Sequence, residues 1–229
     1  MNALKQTLAG GKLAVMVNLM FNSPNLVEYL GALGFDAVML DCEHTSASVE
    51  RIEELARAAR AAGIAAIVRP EKLDEALITR YLECKVSGLM IPHVDDAATA
   101  RRIVDAVRYA LPTTHEDIAI IAMLESADAM KNIDEILAVD GIDLFFIARV
   151  DLSKSMGFKG DKHHPEVRAA VDRLIDRIHA AGRQVGVAGD YDRVGEMAAK
   201  NVNLLFVSTK GLLEPGAKSY RERALAARR

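Results

Sequence analysis

The chain has no tryptophan, and aromatic residues make up only 5% of its 229 residues. Because 51% of the residues are hydrophobic, aliphatic side chains must form most of a large core. The two cysteines, Cys42 and Cys84, lack C-x-x-C spacing, and the N-terminus lacks the basic-then-apolar pattern of a secretion signal. We therefore expect the protein to work in a reducing, cytoplasmic environment.

Long apolar runs and an excess of charge of one sign are also missing. No run approaches the roughly 20 apolar residues that a membrane-spanning helix needs, so no membrane partner is expected. The 29 basic and 32 acidic residues are spread along the chain and give a formal net charge of -3. This balance provides no basic surface for nucleic acid or for an anionic membrane. Chemistry on small molecules is the class of function that remains.

Eight short apolar runs, rich in Val, Ile, Leu, Phe and Met, are candidate strands. They are "LAVMVNLM", "FDAVMLD", "AAIVRP", "GLMIPHV", "IAIIAMLE", "IDLFFIARVD", "QVGVAG" and "NLLFVSTK". Between most of them lie segments with apolar residues three and four apart, which predicts helices over 48–63, 96–110 and 164–182. Ser48 suits a helix N-cap, while Gly63 and Gly182 fall where helices are expected to end.

The predicted strands are apolar throughout instead of alternating, which is typical of a parallel sheet buried on both faces. Eight strand and helix units in a chain of this length indicate an α/β fold of the (β/α)8 TIM barrel type. An open doubly wound sheet is the alternative. No linker or low-complexity segment divides the chain, so residues 1–229 are expected to form a single barrel domain.

Polar residues stand at the end of nearly every predicted strand. In a parallel barrel, functional groups collect at the C-terminal ends of the strands. One polar residue there is often structural, but several carboxylates, a histidine and arginines on one face predict an active site. The residues are Asn18, Asp41, Glu43, His44, Arg69, His93, Glu125, Arg149, Asp151 and Lys210.

Two of these residues suggest a metal site. Glu125 and Asp151 close the fifth and sixth predicted strands, so their carboxylates can share one divalent cation. Two carboxylate ligands that leave room for water and substrate suit Mg²⁺ or Mn²⁺, and softer transition ions such as Co²⁺ can also enter.

Five segments within residues 12–180 resemble the HpcH/HpaI class II pyruvate aldolases of the phosphoenolpyruvate/pyruvate barrel superfamily. They are "GFDAVMLDCEHTSASVE", "IVRP", "GLMIPHVDDAATARRIVDAVRY", "AMLESADAMKNIDEILAVDGIDLFFIARVDLSKSMGF" and "HPEVRAAVDRLI". Each is weak alone, but their order and spacing are specific as a set. The resemblance implies metal-dependent, reversible cleavage of a 4-hydroxy-2-oxo acid to pyruvate and an aldehyde. It also implies a homo-oligomer, commonly a hexamer of dimers that exchange their last helices, with the C-terminal segment packing on a neighbouring subunit.

The resemblance also assigns roles to individual residues. It places the metal ligands on Glu125 and Asp151, the catalytic histidine on His44 beside Asp41, and the oxyanion-stabilising arginine on Arg69. Arg69 would place a permanent positive charge beside the enolate oxygen. His44, with an ordinary pKa of about 6.5, would relay a proton, and Asp41 would orient its ring.

The chain departs from the family pattern at two places. Where the family has Gly-Pro before its metal-binding Asp, this chain has Ala148 and Arg149. That loop contacts the pyruvate carboxylate in the family, so both residues are expected to bind substrate, unless Arg149 points away. The family's L-D-x-G reads "LECK" here, with Lys85 at the position of the glycine.

Several other interpretations stay open at this point. The additional cation Arg149 favours a relative that acts on oxaloacetate or an acyl-CoA thioester, in the manner of citrate synthases or citrate lyases. A barrel that binds a keto acid without turnover is a further possibility. Lys210 would form a Schiff base only in a desolvated pocket, and His93 is expected to fill a strand end without binding metal.

Overall fold

A computed structural model describes residues 2–226, which form a closed barrel of eight parallel strands in sequential order. The strands are β1 (Ala14–Asn18), β2 (Ala37–Asp41), β3 (Ala65–Arg69), β4 (Gly88–Ile91), β5 (Ala119–Leu124), β6 (Leu144–Ile147), β7 (Val185–Ala188) and β8 (Leu204–Ser208). β1 pairs with both β2 and β8, which closes the sheet. The predicted (β/α)8 TIM barrel is confirmed, and the open doubly wound sheet is wrong.

The first helix precedes β1, and the other helices follow the strands and surround the barrel. The helices are α1 (Ala3–Ala9), α2 (Pro24–Ala32), α3 (Val49–Ala61), α4 (Glu75–Glu83), α5 (Ala97–Ala110), α6 (Ala127–Lys131), α7 (Ile133–Leu137), α8 (Arg149–Ser155), α9 (Pro165–Ala180), α10 (Val194–Ala198) and α11 (Thr209–Ala226). The three helices predicted from apolar periodicity are confirmed as α3, α5 and α9.

The ends of these helices are set by local chemistry that is visible in the sequence. The Ser48 side chain accepts a hydrogen bond from the Arg51 N–H at 3.3 Å and caps α3. Gly63 and Gly182 follow α3 and α9 with φ of 73° and 68°, in the left-handed conformation that glycine adopts at low cost. The predicted ends of both helices are confirmed.

The strands are buried on both faces, and each face belongs to a separate hydrophobic cluster. One cluster fills the barrel interior with alternate strand residues such as Met16, Met39 and Phe146. Leu4 and Leu8 of α1 join this interior cluster. The other strand faces pack against the surrounding helices in a second cluster. This arrangement explains why the strand sequences are apolar throughout.

The sixth strand is shorter than its sequence predicted. The apolar run continues to Asp151, but β6 ends at Ile147 and α8 begins at Arg149. The Leu152 N–H donates to the Ala148 carbonyl at 3.0 Å, which opens this helix. Asp151 therefore lies in the first turn of α8 and not at a strand end, because hydrophobicity alone does not distinguish a strand from the helix that follows it.

The C-terminal segment is one long helix, α11, with Pro215 inside it. Its side chains Leu213, Tyr220 and Leu225 are 58%, 79% and 51% exposed. Residues 227–229, the end of the segment expected to pack on a neighbouring subunit, lie outside the described residues, as does Met1. Among the described helices, none combines the length and the apolar character needed to cross a membrane.

Candidate active site

A cavity of about 170 Å³ opens at the mouth of the barrel. Its wall is partly apolar and partly charged. The apolar part comprises Met39, Met90, Met123, Phe146, Ala148, Val150, Ala188 and Phe206, and the polar part Asn18, Arg69, Arg149, Asp151 and Lys162. These polar residues lie at the C-terminal end of the barrel, where the sequence predicted an active site.

A buried ion pair joins the second and third strands at this mouth. Asp41 and Arg69 are the last residues of β2 and β3 and are paired in the register of the sheet. Arg69 Nε donates to Asp41 Oδ1 at 3.0 Å, and Arg69 Nη2 donates to Asp41 Oδ2 at 2.5 Å. Such a bidentate pair holds the guanidinium plane in one orientation. Arg69 is thereby presented to the cavity as a fixed positive charge.

Asp41 also shapes the loop that follows β2. Its Oδ1 accepts hydrogen bonds from the backbone N–H groups of Glu43 and His44, at 3.1 and 3.2 Å. Burial by itself would raise the pKa of Asp41, but hydrogen bonding and charge from Arg69 hold that pKa below its ordinary value. Asp41 is therefore ionised at neutral pH.

The His44 ring contacts Arg69 and not Asp41. Arg69 Nη2 lies 2.8 Å from His44 Nδ1, whereas Asp41 Oδ2 lies 3.9 Å from the same atom. The expectation that Asp41 orients the ring directly is therefore not met, and Asp41 acts on it through Arg69 and through the loop amides. Glu43 Oε2 lies 3.4 Å from the same nitrogen, so His44 Nδ1 lies between a guanidinium and a carboxylate.

Glu125 is a nearly buried carboxylate directly after β5. Its Oε1 accepts the backbone N–H of His93 at 2.7 Å and lies 3.0 Å from His93 Nδ1. The sequence pattern places His93 at a strand end but does not predict this contact. His93 has a φ of 56°, a conformation uncommon outside glycine, and no signal in the chain predicts that conformation.

The surroundings of Glu125 fit a cation. Burial raises the pKa of Glu125 most strongly; the hydrogen bond and charge of His93 oppose this rise, and the negative charges of Asp151 and Glu43 add to it. Lys154 is the salt-bridge partner of Asp151, at 2.8 Å. A buried carboxylate that faces other carboxylates is a suitable ligand for a hard divalent cation, because the ion removes their mutual repulsion.

A second acidic group also lies at the mouth. Asp41, Glu43 and His44 offer ligand atoms within 4.8 Å of one another, a spacing compatible with a metal ion. Arg69, however, contacts Asp41 and His44 and also lies 3.1 Å from Glu43 Oε2 through Nη1. A metal ion among these three would face the guanidinium charge directly, so this group fits a cation less well than Glu125 does.

Arg149 lines the mouth cavity and also a smaller cavity that Asp190 lines. It is 7% exposed, and its Nη2 donates to Asp190 Oδ2 at 3.2 Å. Lys162 also donates to Asp190. Burial alone would raise the pKa of Asp190, but Lys162 and Arg149 lower it overall. Asp190 and Lys162 were not predicted. Asp190 directly follows the seventh predicted strand, so its strand-end position could have indicated it, whereas Lys162 lies in a connection whose sequence carries no distinctive pattern.

Lys210, in contrast, does not belong to this site. It is the second residue of α11, its side chain is 63% exposed, and its nearest acidic partner is Glu214 at 4.0 Å. A solvated amine of this kind lacks the desolvation that a Schiff-base lysine requires.

The geometry agrees with comparisons to known proteins. The family model for HpcH/HpaI aldolase/citrate lyase matches residues 14–209. The chain belongs to this family. The match spans all eight strands and every residue that the sequence predicted for the site except Lys210.

Individual members of the HpcH/HpaI family are similar over most of their length. The 4-hydroxy-2-oxo-heptane-1,7-dioate aldolase of Salmonella paratyphi C is 32% identical, over 81% of this chain and 80% of that protein. The hydroxypyruvate/pyruvate aldolase of Pseudomonas aeruginosa is 31% identical, over 81% and 78%. The crystal structure of an HpcH/HpaI aldolase from Desulfitobacterium hafniense DCB-2 superimposes with a TM-score of 0.88 at 27% identity, covering 97% of this chain and 96% of that one.

Proposed function

We propose that this chain is a metal-dependent aldolase that reversibly cleaves a 4-hydroxy-2-oxo acid to pyruvate and an aldehyde. The observation that carries the proposal is the convergence, at one barrel mouth, of the buried carboxylate Glu125 with Asp151 and of the immobilised cation Arg69. Membership of the HpcH/HpaI family and relatives named as aldolases support it.

Glu125 and Asp151 would hold the ion, with Mg²⁺ or Mn²⁺ as the best candidates and Co²⁺ as another, because the donors are carboxylate oxygens. When bound, such an ion acts as a Lewis acid towards a 2-oxo acid and makes its methyl group more acidic. Lys154, which is the partner of Asp151 at 2.8 Å, would give up this contact or share the carboxylate.

The other residues of the site bind substrate and move protons. Arg69, held by Asp41, stabilises negative charge as it develops on the 2-oxo oxygen. His44 would exchange a proton with the aldol hydroxyl through Nε2, while Nδ1 stays in contact with Arg69. Ala148 and Arg149 lie in the wall of the cavity and would bind the substrate there.

A second candidate is an enzyme of the same family that acts on oxaloacetate or an acyl-CoA thioester. The family includes citrate lyases by its description, and the buried Arg149 adds a cation that a second carboxylate can use. For an aldolase and for an enzyme acting on oxaloacetate alike, the small-molecule partner is a keto acid. We further propose a homo-oligomer, because α11 leaves large apolar side chains exposed.

The test is an assay of pyruvate release and of the reverse condensation with a panel of aldehydes, after chelation and then with Mg²⁺, Mn²⁺ or Co²⁺. Glu125→Gln and Asp151→Asn should abolish activity and weaken metal binding measured by calorimetry. Both should fold normally, since each change preserves side-chain volume. Glu53→Gln, an exposed position on α3, is the matched control and should be fully active.

Full activity of the chelated wild-type protein would contradict the metal mechanism. Covalent trapping of pyruvate by borohydride would contradict it as well, because only an amine forms such an adduct. Decarboxylation of oxaloacetate to pyruvate and CO₂, without condensation of pyruvate with any aldehyde, would favour the second candidate.

A further inference from the structure

His93 makes two contacts with a single oxygen atom of Glu125. Its backbone N–H donates to Glu125 Oε1 at 2.7 Å, and its ring atom Nδ1 lies 3.0 Å from the same oxygen. The other ring nitrogen, Nε2, lies 3.9 Å from Glu43 Oε1, which is too long for a hydrogen bond. The polar contacts of His93 are therefore concentrated on Glu125.

These contacts occupy one oxygen of the Glu125 carboxylate and leave the other available. Glu125 is 5% exposed, and its Oε2 has no hydrogen-bond or ion-pair partner among the described residues. Burial raises the pKa of Glu125, and the hydrogen bond and charge of His93 oppose that rise. His93 thus favours the ionised carboxylate, which is the form that binds a cation.

The backbone of His93 is held in an uncommon conformation at this contact. Its φ of 56° lies in the left-handed region, which a residue with a Cβ atom adopts at a cost. Pro92 precedes it, and the Val94 N–H donates to the Met123 carbonyl at 3.3 Å, so the chain is restricted on both sides. A glycine would adopt this backbone more easily and keep the N–H, but it would lack the ring. Strain that the surroundings impose in this way is frequently part of a functional site.

We infer that His93 is a positioning residue for the metal ligand Glu125: its backbone N–H and its ring hold Oε1, so that Oε2 is presented to the ion. In this role His93 is not itself a ligand. The inference rests on the proposed function for the assignment of Glu125 as a ligand, but it concerns affinity for the ion and not turnover.

Titration with Mn²⁺ tests this role without any substrate, by calorimetry and by electron paramagnetic resonance of the bound ion. His93→Ala removes the ring and keeps the backbone N–H. It should weaken Mn²⁺ binding by roughly 10- to 100-fold, the range for losing a partner of a metal ligand. His93→Asn should retain most of the affinity, because its amide nitrogen can take the place of Nδ1 and asparagine tolerates the left-handed backbone.

Glycine variants separate the ring contact from the backbone strain. His93→Gly should bind Mn²⁺ as weakly as His93→Ala, but it should unfold at a higher temperature than His93→Ala, because glycine adopts a positive φ at low cost. Lys85→Gly is the matched control, since Lys85 has a φ of 59°, is exposed and does not line the mouth cavity. It should relieve the same kind of strain and leave the affinity for Mn²⁺ unchanged.

Unchanged affinity for Mn²⁺ in His93→Ala and His93→Gly would overturn the inference. A loss in His93→Asn as large as in His93→Ala would overturn it too, because a polar atom in the place of Nδ1 would then not be what holds Glu125. If affinity for Mn²⁺ depends on His93 but no aldehyde is condensed, the inference stands and the aldolase proposal fails. If aldehydes are condensed with Mn²⁺ but affinity does not depend on His93, the aldolase proposal stands and the inference fails.

Discussion

Arg69 and Asp41 form a bidentate ion pair across neighbouring strands, with side chains that are 11% and 1% exposed. The pair fixes the cation that faces the cavity, and it fixes the loop through the Glu43 and His44 amides. Removing one partner would leave a nearly buried charge unpaired, which costs more than the pair itself contributes. Stability and catalysis therefore both depend on this contact.

Asp41→Asn should lower the free energy of unfolding by about 3 kcal/mol at neutral pH. The pKa of Asp41 is lower in the folded protein than in the unfolded chain, so its contribution is present above the unfolded pKa and is lost as pH falls through the folded pKa. Urea unfolding from pH 7 towards pH 3 should show the difference between wild type and variant shrinking. Asp105→Asn, exposed on α5, is the control, and a difference that does not change with pH would contradict the prediction.

His44→Ala should reduce aldol cleavage by roughly 10²-fold or more, the range for losing a positioned acid-base group. Metal affinity should be unchanged, since His44 contacts Arg69 and is not assigned as a ligand. Steady-state kinetics over pH, with calorimetric metal titration, checks both statements. An unchanged rate would mean that the DCEH segment serves only to shape the loop.

Lys85→Gly should stabilise the protein by about 0.5 to 1 kcal/mol. Lys85 follows α4 with a φ of 59°. A residue with a Cβ atom in this left-handed conformation costs roughly 1–2 kcal/mol. Glycine avoids this cost, but its greater flexibility in the unfolded chain cancels part of the gain in stability. Lys85→Ala keeps the Cβ atom and should show no such gain, which separates backbone strain from loss of charge. Thermal and urea unfolding measure both, and equal effects would refute the explanation.

The protein should be an oligomer in solution. Leu213 and Tyr220 of α11 are more than half exposed, and covering them by a second copy would remove apolar surface from water. Light scattering at micromolar concentration measures the mass directly. Leu213→Glu with Tyr220→Glu should shift the mass towards the monomer, and a wild-type monomer would contradict the expectation.

The order of the elements and the position of the site were determined by the sequence itself. Eight apolar runs separated by helical periodicity indicate a parallel sheet covered on both faces, and the polar residues after nearly every run mark the mouth of the barrel. Local signals of this kind act over a few residues, as the Ser48 cap and Gly63 show. These local signals can be recognised in the sequence without knowing which strands pair in the barrel.

Contacts between distant segments were decided only by the tertiary structure. The ion pair of Asp41 with Arg69, the bond from Arg69 to the His44 ring, and Asp190 behind Arg149 join residues 25 to 41 positions apart. The end of β6 before Asp151 was also missed, because apolar residues suit both the strand and the helix that follows it. The sequence pattern indicates which residues are buried. Hydrogen-bond partners depend on the closure of the barrel, because closure brings together the ends of strands that are distant in the sequence.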